Sequence, residues 1–251
     1  MATGKDWAEM ERAWKLHLRA KNRQLHREGR KQISRYHATD CNGRHKEFEG
    51  WTKEERDEFV LGLFGIFKRI PLNATAYDID LDDLCEVFPE WGKDKLEAGY
   101  YALTKFVMYT IGADFDKWGG GGHAHMRGKP VRVTLFHDRT ANGKYDPTIL
   151  KSFNEQVGDV NSECAKYFTT IAPLAWQDCI ALQPADLVAF EIFRDTRDRA
   201  EAKTRRKSFS ALIDMETFGI HTKSFTKEVL ILMREDLEKR CVIGPLAFNL
   251  K

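Results

Sequence analysis

Four carboxylates and four imidazoles occupy positions from which they could do chemistry. Asp138 ends the hydrophobic run of residues 131–137 (VRVTLFH), and strand ends in α/β proteins are where functional side chains gather. Asp186 follows Gln183-Pro184 in a stretch with Leu182, Ala185, Leu187, Val188 and Phe190; a carboxylate in apolar surroundings needs a partner or a cation. Each acid also has a plain structural use: Asp138 can open the turn toward Asn142-Gly143, and Asp186 can complement a helix dipole. Glu191 is a lesser candidate, because five residues is about 140° around a helix and it cannot share one site squarely with Asp186. His37, Asp40, Cys41 and His45 form a second cluster. Imidazole and thiolate suit zinc, although H-x-x-x-C-x-x-x-H matches no standard zinc spacing and lacks an evident fourth ligand. His123 and His125 follow four successive glycines, which give a metal site no preorganised backbone. The same stretch lacks the Lys-Ser/Thr ending of a phosphate loop, and neither a dinucleotide fingerprint nor a nucleophile elbow occurs.

The elements that must position these groups are legible in part. Trp7, Met10, Trp14, Leu18 and Leu25 recur at helical steps and predict an amphipathic helix over the first 25 residues. A basic stretch comes next, then a short strand-like piece, ISRYH; residues 41–50 read as a loop. Thr52 and Glu55 have the spacing of a capping box, with Phe59, Leu63, Phe67 and Ile70 as the buried stripe behind it and Pro71 as the stop. LNATAYDID reads as a strand, residues 81–88 and 96–111 as helices, and 114–130 as a mobile glycine-rich loop. VRVTLFH is the best strand candidate, Asp146-Pro147 a helix start, and residues 168–171 another strand. A helix opened by Gln183-Pro184 is apolar in its first half and charged in its second, which should project into solvent. Helices at about 208–215 and 225–239 complete the chain. Strands alternating with helices predict an α/β domain with helices covering a sheet, and no linker composition divides residues 1–251.

Composition sets outer bounds. The 251 residues are 42% hydrophobic and 31% charged, with 12% aromatic, which supports a folded core. No run approaches the roughly 20 apolar residues of a membrane span. MATGKDWAEMERAWK has no apolar signal core, and five dispersed cysteines without C-x-x-C suit free thiols in a reducing cytoplasm. A net charge of +2 does not demand nucleic acid as a partner. The basic stretches 27–31 and 203–207 could contact phosphates, or simply be solvated helix ends.

Several segments together resemble the domain-of-unknown-function 3800 family. They are Tyr36-His37-Ala38-Thr39-Asp40, then Glu47-Phe48-Glu49-Gly50-Trp51 with Glu55-Arg56, then LCEVFPEW from Leu84. Phe136-His137-Asp138-Arg139 and the run Leu182 to Glu191 (LQPADLVAFE) complete the set. The resemblance runs in order from about residue 6 to 215, with 216–251 as a helical extension. It implies a ribonuclease H-like fold, a mixed sheet flanked by helices, in a cytoplasmic protein of bacterial or phage origin. It further implies a divalent-metal-dependent nuclease or phosphodiesterase, in which magnesium or manganese is held by Asp138 from the strand end and Asp186 from the late helix. His37 and Asp40 would lie on a neighbouring edge of that cleft. Metal ions about 4 Å apart activate water and stabilise the leaving oxygen of a phosphodiester, and hard oxygen ligands suit both ions. Members of the family begin with a strand carrying Asp/Glu-Ser-Gly. Here the chain starts at a segment resembling the one after that strand and its hairpin, so the first carboxylate is expected to be missing. The alternative is a catalytically silent interaction or nucleic-acid-binding module of the same fold.

Overall fold

The computed structural model describes residues 4–70, 72–118, 132–139, 143–159, 166–214 and 218–239. In chain order they form α1 (Gly4–Arg27), α2 (Ala38–Gly43), α3 (Lys53–Phe67), β1 (Leu72–Ile79), α4 (Leu81–Val87) and α5 (Lys95–Trp118). Next come β2 (Val133–Asp138), α6 (Asp146–Gly158), β3 (Phe168–Leu174), α7 (Leu182–Ala200), α8 (Lys207–Ile213), β4 (Phe218–Phe225) and α9 (Lys227–Lys239). The chain is α/β and mostly helical. Among the described residues the strands pair two by two, β1 with β4 and β2 with β3, in small parallel sheets. No described helix is long and apolar enough to cross a membrane.

Two compact units result, one of Met1–Ala76 with Leu174–Thr222, the other of Tyr77–Pro173 with Lys223–Lys251. In the first, α1 buries Met10, Trp14, Leu18 and Leu25, the stripe its periodicity predicts. They join a core with Phe59, Leu63, Phe64 and Phe67 of α3, Leu187, Val188 and Ile192 of α7, and Phe209 and Leu212 of α8. The capping box is formed: the Thr52 hydroxyl accepts the Glu55 N–H at 3.1 Å, and the Glu55 carboxylate accepts the Thr52 N–H at 3.0 Å. Pro71 lies outside the described residues, as do His123 and His125.

ISRYH is not a strand, because side chains take its backbone donors: Asn22 accepts from Ile33 at 2.8 Å, Glu47 from Ser34 at 2.8 Å and Gln183 from Tyr36 at 2.9 Å. The expected loop at 41–50 contains the end of α2 and a 3-10 turn, Lys46–Phe48. The charged half of α7 does not simply face solvent. Asp195 and Asp198 are only 1% and 5% exposed, and Asp195 is neutralised by Arg199 at 2.9 Å and Arg205 at 3.1 Å.

The second unit is organised around α5. Leu84, Val87, Phe88, Trp91, Tyr101 and Phe106 form its core with Phe225 and Leu230. Phe88 and Trp91 stack with ring centres 3.8 Å apart, and Phe106 and Phe225 at 4.4 Å. The Ser152 hydroxyl of α6 donates to the Tyr101 carbonyl at 2.8 Å, tying the buried faces of α5 and α6. α5 runs to Trp118, past the expected end at 111, and carries Gly112 within it. α6 starts at Asp146 with Tyr145 as the capping position and Pro147 in its first turn. β4 occupies residues expected to be part of a helical extension; Phe218, Ile220 and Thr222 alternate there, a strand signal diluted by Gly219 and His221.

Candidate functional site

The carboxylates singled out in the sequence fall in different places. Asp138 is the exposed last residue of β2, in the second unit. Asp186, His37, Asp40 and Glu191 belong to the first. Asp186 accepts the Ala38 N–H at 2.8 Å, so a carboxylate on α7 serves the first turn of α2 across 148 residues. Gln183, one turn earlier, accepts two donors at one oxygen, the Trp14 indole N–H at 3.0 Å and the Tyr36 N–H at 2.9 Å. Two of the segments that carry the family resemblance are therefore joined by direct hydrogen bonds. His37 Nδ1 stands 3.1 Å from Asp40 Oδ2, and the Lys46 ammonium 3.0 Å from the same oxygen. Burial pushes the Cys41 thiol up to about 12, so it stays protonated rather than offering a thiolate. Among the described residues no group of three or more His, Cys, Asp or Glu side chains gathers as a metal set.

What the first unit does assemble is a cleft of about 320 Å³ between α2, α3, α7 and the start of α8. Val60, Leu61 and Phe190 give it an apolar wall, and Lys53, Arg56, Arg206 and Lys207 a cationic one, with Asp57 and Glu191 as its acids. Tyr36, 3% exposed, also lines it.

Glu191 is 2% exposed. The Ser208 hydroxyl donates to its Oε2 at 2.7 Å, and Arg206 Nη2 lies 3.6 Å from its Oε1. Burial raises its proton affinity above that of an ordinary carboxyl, with Arg206 and Ser208 pulling the other way. The same Arg206 nitrogen donates to Asn42 Oδ1 at 3.2 Å, and the guanidinium lies over the Phe190 ring at 5.7 Å. Its other terminal nitrogen, Nη1, is buried and has no hydrogen-bond partner among the described residues. Arg56 is held by the Asn42 carbonyl at 3.3 Å and by Asp57. Lys53 and Lys207 have no ion pair among the described residues.

The chain matches no family model, no curated protein and no solved structure.

The chemistry of the site thus rests on its own groups. A guanidinium with one buried nitrogen unmatched, beside two lysines without acidic partners, is suited to an oxyanion. Glu191, close to that cation, can hold or release a proton. The α7 carboxylates fit a divalent cation less well: Asp186 accepts a backbone N–H, and Glu191 is matched by Ser208 and Arg206, whose positive charge already takes a cation's place. In the sequence Glu191 is only a lesser candidate, and neither Arg206 nor Ser208 carries a motif that marks it. The visible signal is the basic knot KTRRK after α7, open in the sequence to either phosphate contact or a solvated helix end; its Arg205 and Arg206 pair with buried acids of α7.

Proposed function

We propose that the cleft of the first unit binds a small phosphate ester, with Arg206 as the main anchor for the phosphate. The observation that carries this reading is the Nη1 of Arg206, buried and without a partner among the described residues. A buried donor without an acceptor is costly, and a ligand oxyanion would supply the acceptor. Charge supports a dianion: four cations face two acids around the cleft, and a phosphate monoester carries about −1.5 to −2 at neutral pH. Val60, Leu61 and Phe190 give the organic part of the ester an apolar surface. The volume lies near the lower end of the roughly 300–1,000 Å³ typical of small-ligand pockets.

Calorimetric titration with phenyl phosphate tests the reading. The intact chain should bind it saturably and more tightly than it binds phenol, and Arg206→Ala should lower the affinity at least tenfold, a loss of about 1.4 kcal/mol. Equal affinity for phenol and phenyl phosphate, or no effect of Arg206→Ala, would overturn it.

Metal-dependent hydrolysis of a phosphodiester by a ribonuclease H-like protein, through Asp138 and Asp186 with magnesium or manganese, is what the family resemblance implies. Phosphate recognition in the cleft is compatible with that chemistry, but Asp186 and Glu191 are occupied by protein donors, so binding is the leading reading. A nucleic-acid partner has support of a different kind, on α1.

A further inference from the structure

Between Glu11 and Glu28 the chain has no acidic residue, yet it places Arg12, Lys15, Arg19, Lys21, Arg23 and Arg27 there, all in α1. Two of these cations are spoken for: Lys15 pairs with Glu11 at 2.5 Å, and Lys21 with Glu55 at 3.6 Å. The four arginines have no acidic partner among the described residues. At about 100° per residue, Lys5, Arg12, Arg19, Arg23, His26 and Arg27 lie within about 60° of a single line along the helix. All six are exposed, and the line runs opposite Met10, Trp14, Leu18 and Leu25 in the core. From Lys5 to Arg27 it extends for about 33 Å. Glu9 is the one acid on this face. Arg19, Arg23 and Arg27 succeed one another at i,i+4 spacing, where like charges destabilise the helix that carries them.

Beside the second half of the stripe lies an open groove of about 790 Å³, lined by Arg19, Asn22, Arg23, His26, Arg27 and Gln32. Its wall is fixed. The Asn22 side chain both donates to the Ile33 carbonyl at 2.7 Å and accepts the Ile33 N–H at 2.8 Å, which clamps the segment after α1 to the helix.

We infer that the outward face of α1 is a docking surface for the phosphate backbone of double-stranded nucleic acid. Guanidinium groups are the side chains best shaped for bidentate contact with phosphate. The Arg19–Arg27 rise of about 12 Å spans three to four phosphates at about 3.4 Å of axis per charge on one strand. An anionic membrane is the other polyanion to weigh. Membrane-surface helices need an exposed apolar face, whereas the apolar stripe of α1 is in the core and leaves Leu16 as its large exposed hydrophobic residue. A single strand would want aromatic stacking platforms, and the two Trp of α1, Trp7 and Trp14, lie on the inner side. Backbone contact alone gives no base preference.

This surface is separate from the cleft proposal, and its test is separate as well. Fluorescence anisotropy of a labelled mixed-sequence duplex with the full chain should give a plot of log affinity against log salt with a slope of about −3.6 for four neutralised phosphates. Affinity should then fall about 150-fold when salt is raised fourfold. Arg12→Gln/Arg19→Gln/Arg23→Gln/Arg27→Gln, with its circular dichroism unchanged, should lose that slope. A matched variant, Lys93→Gln/Lys95→Gln/Lys144→Gln/Lys227→Gln in the second unit, should keep it. The inference is overturned if the parent chain does not bind, if both variants lose the slope equally, or if vesicles rich in phosphatidylserine bind more tightly than the duplex through the same arginines. A labelled single strand preferred over the duplex would overturn the choice of partner.

Discussion

Gln183 is the residue whose replacement should reveal most about how the first unit is held. Its side-chain oxygen receives two buried hydrogen bonds, from the Trp14 indole at 3.0 Å and the Tyr36 N–H at 2.9 Å. Both partners can only donate, so the contacted atom is the oxygen whichever way the amide is drawn. Gln183→Ala leaves two buried donors without an acceptor, at about 1–3 kcal/mol each, and removes a buried methylene worth about 0.8 kcal/mol. Against this, the parent already carries an Nε2 with no partner among the described residues, and losing it returns roughly 1 kcal/mol. The net expectation is a loss of about 2–6 kcal/mol, which corresponds to a fall in melting temperature of roughly 4–24 °C for a chain of this size. Urea unfolding followed by Trp fluorescence and far-UV circular dichroism measures it. Gln183→Met separates the causes, since it fills the space and offers no strong acceptor. If Gln183→Met is within about 0.5 kcal/mol of the parent, the ordinary limit for an inconsequential substitution, packing rather than hydrogen bonding holds this position and the reasoning is refuted.

Three further outcomes rest on named geometry. Glu191 binds its proton more tightly in the folded state than unfolded, chiefly because it is buried; its contribution is therefore most favourable below the ordinary value of 4.5 and declines as pH rises through the raised folded value. Thermal melts of Glu191→Gln beside the parent should show the variant gaining relative stability as pH increases above 4.5, and a difference independent of pH would contradict this. Glu55 behaves oppositely: hydrogen bonds from Arg30, with help from the Thr52 N–H, hold it down at about 2 against an ordinary 4.5. Its contribution is present above pH 4.5 and lost as pH falls toward 2, so Glu55→Gln should cost about 1 kcal/mol at neutral pH, after allowance for its solvent exposure, and almost nothing at the acid end of that window. Gly92→Ala would place a Cβ 2.5 Å from the Ala98 backbone nitrogen at the start of α5; overpacking against backbone costs about 1–3 kcal/mol, and calorimetry showing no change would mean that this approach is looser than described.

What the sequence determined by itself is what depends on neighbours within a turn or two. The α1 stripe, the Thr52–Glu55 capping box, the strand character of β1, β2 and β3, and the proline-led starts of α6 and α7 are all local: periodicity states which face is apolar, and a cap or a proline states where a helix begins. Tertiary structure decided the fate of the polar groups. ISRYH has the composition of a strand, but its donors go to Asn22, Glu47 and Gln183, the last of them 147 residues away, where no spacing rule reaches. Asp186 could be read as a dipole complement or a metal ligand until its partner proved to be Ala38, 148 residues away. The basic stretch 203–207 could be a phosphate contact or a solvated helix end, yet its Arg205 and Arg206 pair with Asp195 and Glu191, acids 10 or more residues away in sequence and buried on α7. An apolar side chain gains from almost any dry surface, so its pattern is enough to place it. A charge or an amide gains only from a particular partner at about 3 Å, and which partner arrives there is set by how distant segments pack.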